Sequence, residues 1–501
     1  MSPIFEDNRP PRVGLRMLKR FALGGVLIVF LSAATVASAV LLEVNQLTTI
    51  VRQESKPIPG IKGALDDVNP GDPQTILVLG SDRRFIDIKN HNPVRSDTIM
   101  LLRLDPSKGA TAVMSIPRDL KVDIPGYRSD KINAAYALGG PKLSVKTVRQ
   151  LLGIPINHVV NVNFGGFRRA VNRLGCVYAD VDRRYFNDNN PPAGGGGDYA
   201  TINVQAGYQK LCGQNALDYV RYRHFDTDLV RSARQQDFLR QAKEQVGISK
   251  LFGDRTELLK IFARYTQTDI RGETAVLRLL KLAFESAKNP VQEVHFEAEP
   301  QGDYLVISPD KLARDVDRFM NAKGSKNSRG TAPKTAADKK LERKQARKRR
   351  DNSIPPGLFL NKSQGEDIGV QLGTKVPFNV YYPKFSAVGS QYRPNDSRAY
   401  DIYDRSHHRY RAYRIVASAP GIGQYYGIQG MTWKGPPILD NPSEMRKING
   451  RTFELFFDGG RLRLVAWRTP RAVYWISNTL LQSLSNKQML GLAGSLTRVG
   501  Q

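Results

Sequence analysis

The sequence predicts an α/β protein: a layered α/β/α domain behind one N-terminal transmembrane helix, plus a small strand-rich (α+β) C-terminal domain. Three observations predict it. One apolar run of bilayer-spanning length lies near the N-terminus. Buried-strand and amphipathic-helix patterns then alternate over about 75–320, as they do where helices cover a sheet. Beyond a Lys/Arg-rich stretch that cannot form a core, short β-like runs separated by turns fill 352–501.

Residues 1–20 carry Arg9, Arg12, Arg16, Lys19 and Arg20 and read as a cytoplasmic tail. Residues 21–42 hold no charged side chain, and a bilayer core about 30 Å thick needs roughly 20 such residues in a helix. The basic flank sets the N-terminus inside and the bulk outside the cell membrane, as a single-pass protein. A cleaved signal peptide is the competing reading, because Ala37-Ser38-Ala39 resembles a peptidase site; the apolar run is longer than a usual signal core. Residues 43–74 are polar, with Pro and Gly, and read as a stalk.

In 75–320, ILVLG (76–80), DTIMLLRLD (97–105) and ATAVMSI (110–116) read as buried strands, the last two joined by an Asp-Pro-Ser-Lys-Gly turn. Helix is expected at 143–153, 167–175, 215–223, 231–249, 254–267 and 273–288, and strand at 158–164, 176–181 and 293–299. Residues 321–351 read as a basic linker: 321–350 hold 12 Lys/Arg against two acids. Such a segment is a solvated connection or an electrostatic tether to anionic polymer or lipid headgroups. In 352–501, Phe457-Asp458-Gly459-Gly460-Arg461 reads as a hairpin turn, and 486–496 as helix.

The chain of 501 residues carries 75 Lys+Arg against 47 Asp+Glu, a net +28, which attracts polyanions. Extracytoplasmic topology argues against nucleic acid as the partner. Two cysteines, Cys176 and Cys212, exclude a four-thiolate metal site and are free to pair as a disulfide or to stay as buried thiols. The six histidines make no metal-ligand spacing, and no GxxxxGK[ST] phosphate loop occurs.

The chemistry concentrates at strand and helix ends between 80 and 236. Asp82 and Arg84 follow the first strand, Arg95 and Asp97 open the second, Arg118 follows the third, and Lys131 precedes a helix. Arg221, Arg223, Asp228, Arg231, Arg234 and Gln235 surround one loop and the helix after it. Strand ends of a layered sheet converge on one crevice. Clustered guanidinium groups there suit bidentate phosphate binding, and paired carboxylates suit Mg²⁺ or proton transfer from a hydroxyl. Structural ion pairs are the alternative explanation of the same residues.

In this order, after one membrane helix, the segments ILVLGSDRR, RSDTIMLLRLD, SIPRDLKVDIPGY, KINAAYALGG and YVRYRHFDTDLVRSARQQ resemble the LytR–CpsA–Psr family over about 75–250. The resemblance implies an extracytoplasmic phosphotransferase that moves a glycopolymer from a polyprenyl pyrophosphate carrier to peptidoglycan, at the surface of membrane lipid. It implies Asp82, Asp97 and Arg118 as catalytic, with Asp82 and Asp97 holding Mg²⁺. It assigns Arg84, Arg95, Lys131, Arg221, Arg223, Asp228, Arg231, Arg234 and Gln235 to the pyrophosphate. The family often has an aromatic residue and Gly where this chain has Leu229 and Val230, which predicts a less pliant loop. Hydrolysis of the carrier, and a non-enzymatic wall-binding or regulatory role, are the competing functions.

Overall fold

The computed structural model describes residues 56–81 apart from 70, 96–188, 200–223, 226–246, 254–270, 291–322 and 354–500, with single positions 282, 286 and 289 between. The expected cytoplasmic tail and membrane helix, Asp82, Arg84, Arg95, nearly all of the 273–288 helix and most of the linker lie outside them. Among the described residues no helix is long and apolar enough to cross a membrane.

In the first domain, β1 is Gln74–Ser81, β2 Ser96–Asp105, β3 Ala110–Ser115, β4 His158–Asn163, β5 Val177–Val181, β6 Gly207–Leu211, β7 Thr266–Thr268 and β8 Val291–Val294. The helices are α1 (Ala134–Leu152), α2 (Phe164–Arg173), α3 (Gly213–Arg221), α4 (Asp228–Gln245), α5 (Arg255–Tyr265) and α6 (Pro309–Met320). Six strands form one mixed sheet in the order β7-β4-β1-β2-β3-β8. β1, β3, β4 and β8 run the same way, so their C-terminal ends share one edge with the start of β2.

Side chains alternate across this sheet with period two. Leu77, Leu79, Ile99, Leu101 and Met114 meet Val145 and Val148 of α1 and Phe319 of α6. Ile76, Leu104 and Val160 face the other way, toward Ile270 and Leu282. Apolar side chains therefore pack on both faces of the sheet. α1 starts earlier than periodicity predicts: non-helical Gly139 and Gly140 (φ +61°), followed by Pro141, kink it and break the pattern that a reader of sequence follows.

The stalk assignment needs correction for its second half. Ile58, Ile61 and Ala64 are buried in the main core, and Asp66 accepts from Arg149 at 2.6 Å and from the amide of Ile156 at 2.9 Å. Burying three apolar side chains outweighs the polar character of the surrounding segment. Cys176 and Cys212 are joined as a disulfide at the foot of the paired β5 and β6.

The second domain is built on an eight-stranded antiparallel sheet. Its strands are β9 (Gln391–Tyr392), β10 (Arg398–Tyr403), β11 (Arg409–Ser418), β12 (Tyr425–Met431), β13 (Glu444–Ile448), β14 (Arg451–Asp458), β15 (Arg461–Arg468) and β16 (Val473–Ser477). The order is β9-β11-β12-β16-β15-β14-β13, with β10 also paired to β11. Asp458 pairs with Arg461 across a two-residue hairpin loop in which Gly459 has φ +53°. One face packs on α7 (Lys362–Gly373) and α8 (Asn486–Gly494), through Ile368, Leu372, Met489 and Leu492.

The opposite face packs on the first domain. Tyr178 and Tyr208 of the β5–β6 ribbon enter one cluster with Tyr400, Ile402, Met431 and Trp475. Buried Arg414 reaches Asp180 at 2.9 Å, and Trp475 Nε1 donates to the same carboxylate at 3.3 Å. Gly427 makes this possible, because a Cβ there would stand 2.5 Å from the Arg414 guanidinium. The two domains thus share a core.

Candidate active site

The sheet edge where β1, β3 and β4 end brings together several of the residues that the sequence singles out. At the β1–β2 pair, Gly80 opposes Thr98 and Ser81 opposes Ser96. Asp97 is therefore the extra residue of a β-bulge, a device that re-aims chain next to functional sites. Gly80 is required there, since a Cβ would meet Thr98 Cβ at 2.9 Å.

After β3, the Pro117–Leu120 turn is held by the Leu120 amide on the Pro117 carbonyl (3.1 Å) and by the Leu305 amide on the Asp119 carbonyl (2.9 Å). It presents Arg118, whose Nε lies 3.6 Å from Asp119 Oδ2 and 3.7 Å from Asp228 Oδ1. A hairpin of 121–123 with 129–131 brings Lys131 Nζ to 3.3 Å from Asp119 Oδ1. Asp228 opens α4, behind the Thr227 side-chain cap, and ion-pairs Arg231. Arg118, Lys131 and Arg231 thus face two carboxylates at the positive end of a helix, which favours an added anion.

Arg221 stands beside this cluster in sequence but lines a cavity of about 490 Å³ at the end of β4. It pairs with Asp218 at 2.7 Å and lies over the Phe164 ring at 5.7 Å. Lys56, Arg168 and Arg264 also line the cavity, with Tyr136, Asn161 and Gln214, and no carboxylate is among the described lining residues. Sequence reading did not assign Lys56, Arg168, Arg264 or Asp119. Asn163-Phe164-Gly165-Gly166, a strand end running into a glycine pair, was the available signal for Arg168. Nothing local marks Arg264, which tertiary packing brings in.

Two assignments change in character. Arg234 is fully buried; it ion-pairs Asp226, donates to the Tyr222 carbonyl at 2.6 Å and lies over the Tyr185 ring at 4.6 Å. Its guanidinium is consumed in packing, which corrects its assignment to the pyrophosphate. Gln235 donates to the Val220 carbonyl at 3.1 Å and ties α4 to α3. Arg183 shares Asp226 with Arg234, at 2.6 Å. Next to them Asp182 accepts from Tyr185 at 2.5 Å, and burial pushes its carboxyl up to about 6. Arg223 is partly buried just past α3.

The loop before α4 is braced from the second domain. Tyr425 lies under Arg183 at 5.2 Å. A Cβ on Gly423 would stand 3.1 Å from Asp226 Oδ1 and 3.3 Å from Val230. Leu229 and Val230 sit in the first turn of α4, Val230 fully buried, so the departure from the usual aromatic-Gly pair accompanies a loop packed under a second domain.

A model of the LytR_cpsA_psr family matches residues 40–316, more than half of the chain. The chain belongs to the LytR–CpsA–Psr family. It is 30% identical over 312 residues to the polyisoprenyl-teichoic acid–peptidoglycan teichoic acid transferase TagU of Oceanobacillus iheyensis, a match covering 59% of this chain and 91% of that protein. It is 36% identical over 178 residues to the transferase TagT of Bacillus subtilis, covering 35% of this chain and 53% of that protein. A solved structure of TagT with bound octaprenyl pyrophosphate lipid is 26% identical, covers 52% of this chain and 94% of that one, and superposes with TM-score 0.38. Arg118, Lys131, Asp228 and Arg231 of this LytR–CpsA–Psr domain meet in space although 113 residues (118 to 231) separate the first from the last.

Proposed function

We propose that this protein is a membrane-anchored transferase that moves an anionic glycopolymer from a polyprenyl pyrophosphate carrier onto a peptidoglycan hydroxyl. One observation carries the reading: Arg118, Lys131 and Arg231 converge at the sheet edge, beside the start of α4. The family and the transferase relatives support it.

The acceptor oxygen attacks the phosphorus that bears the glycopolymer. The bond from that phosphorus to the bridging oxygen breaks, polyprenyl phosphate leaves, and the hydroxyl proton passes to a carboxylate of the Asp82–Asp97 pair. Phosphoryl transfer asks little covalent help of a protein, and positioning and positive charge do most of the work. Arg118 and Arg231 orient the bridging and non-bridging oxygens, with Lys131 neutralising charge. Arg84, Arg95, Arg221 and Arg223 extend the cradle along the carrier's phosphates and the polymer. The register sets Ser81 opposite Ser96, one residue before Asp82 and Asp97 respectively, and carboxylate oxygens of this kind suit Mg²⁺. Mg²⁺ held there would neutralise the pyrophosphate and its leaving oxygen. The carrier's own pyrophosphate bond supplies the driving energy, and the uncharged run 21–42, long enough to span a bilayer, would keep the site at the membrane that holds the carrier.

The test is transfer by the full chain in detergent, from a polyprenyl pyrophosphate-linked glycopolymer to peptidoglycan. Polymer should become peptidoglycan-linked, and Arg118→Ala should slow this roughly 100- to 1,000-fold. Polymer phosphate released equally fast without acceptor would make the protein a hydrolase instead.

A further inference from the structure

A second cluster of reactive groups lies where the two domains meet. Glu293 is the next-to-last residue of β8, His295 lies just past the strand's end, and Asp458 ends β14 of the second domain. One ligand atom from each lies within 4.8 Å of the others. We propose that Glu293, His295 and Asp458 bind a divalent transition-metal cation of the Zn²⁺ or Mn²⁺ type, which fastens the β14–β15 hairpin to the edge strand of the catalytic sheet.

Four independent features carry this. The donor set, one imidazole nitrogen and two carboxylates, is what borderline divalent metals take. The spacing fits: Glu293 Oε2 is 3.9 Å from His295 Nε2, and two ligands about 2.1 Å from one ion stand roughly 3–4 Å apart. His295 Nε2 is shielded from solvent and makes no hydrogen bond, an orphan ring nitrogen that ordinary packing would have satisfied. The carboxylates are also oriented from behind, as metal-binding carboxylates are. Glu293 Oε1 accepts from Arg240 Nε at 2.7 Å, and Asp458 Oδ2 accepts from Gln482 at 2.7 Å.

Charge points the same way. Asp237, Glu244, Glu293 and Asp458 act on this spot against two guanidinium groups, Arg240 and Arg463. Arg240 is already shared among Asp237, Glu244 and Glu293. A dication would neutralise both carboxylates and use the unpartnered ring nitrogen. His295 also lines a small cavity with Leu229 and Gln236 of α4 and Leu481 of the second domain, so the ion would couple the hairpin to the helix that carries Asp228 and Arg231. The histidines make no ligand spacing in the sequence because the third ligand comes from a domain more than 150 residues away.

The full chain, untagged and in detergent, should be stripped with EDTA, supplied with excess MgCl₂ to occupy the Asp82–Asp97 pair, and titrated with ZnCl₂ or MnCl₂ by calorimetry, with metal content and melting temperature measured in parallel. One equivalent should bind and raise the melting temperature. His295→Gln and Asp458→Asn should each weaken binding by about 100-fold or more, whereas a His407→Gln/His408→Gln double variant should bind as wild type does. Should Asp458→Asn fail to fold, His295→Gln alone decides. Equal metal uptake by wild type and His295→Gln, or no uptake by wild type, overturns the proposal.

Discussion

Two arginine clusters flank the first turn of α4, and they solve opposite problems. Around Asp226, Arg183 and Arg234 are enclosed, with side chains 8% and 0% exposed, and are roofed by Tyr185, Tyr222 and Tyr425. Around Asp119 and Asp228, Arg118 and Lys131 keep 23% and 25% of their side chains open. The same residue types, a few positions apart in the chain, shape a loop in one place and face solvent in the other. The discriminating quantity is exposure, which no motif contains.

The sharpest way to break this comparison is Asp226→Ala. It leaves two buried guanidinium groups without their shared carboxylate, and breaking a buried pair in this way costs about 3–5 kcal/mol. Urea unfolding at neutral pH should register a loss of that order, and a loss below about 1 kcal/mol would mean the cluster is no keystone. Arg118→Ala is the counterpart. Its pairs are long and partly exposed, so stability should change by less than about 1 kcal/mol, while transfer should fall roughly 100- to 1,000-fold through loss of a charge that meets the transition state. If Arg118→Ala unfolds the protein and Asp226→Ala only slows transfer, the roles of the two clusters are reversed.

The contrast also explains what was legible beforehand. β1, β2 and β3 announce themselves as continuous apolar runs, because a strand buried on both faces needs no polar alternation. The Asp458–Arg461 hairpin is legible from its glycine pair. The packing of Ile58, Ile61 and Ala64 is hidden among polar neighbours, and the kink at Gly139–Gly140 hides the first turns of α1. Arg234 reads like Arg231 in the sequence, since both are arginines on one helix; only the third dimension puts one against Asp228 and the other inside a tyrosine cage. Lys56, Arg168 and Arg264 join Arg221 through four separate segments, a convergence that no local pattern encodes. The shared core of the two domains is hidden for the same reason: Tyr178 and Tyr208 look like ordinary strand residues until the second sheet is seen to cover them.

Asp182 offers the smaller and finer test, because it asks whether the enclosed cluster needs a second negative charge. Two guanidinium groups act on this carboxyl and favour its ionised form, yet burial opposes them more strongly and lifts it to about 6 from an ordinary 3.8. Its Oδ2 is buried without a hydrogen-bond partner. The folded-state value is raised, so Asp182 helps folding below the unfolded value of 3.8, and that help is lost as pH climbs through 6. Above pH 6 the ionised group costs about 3 kcal/mol relative to acid conditions. Asp182→Asn removes that cost, keeps an acceptor for Tyr185, and introduces a buried amide N–H worth about 1–2 kcal/mol if unpaired. The variant should therefore be more stable than wild type by about 1–2 kcal/mol at pH 7.5, and the difference should shrink toward pH 4.5. Melting curves of both proteins across that range decide the matter. A variant less stable than wild type at pH 7.5 would show that the two arginines require Asp182 charged, and that the enclosed cluster is balanced two against two.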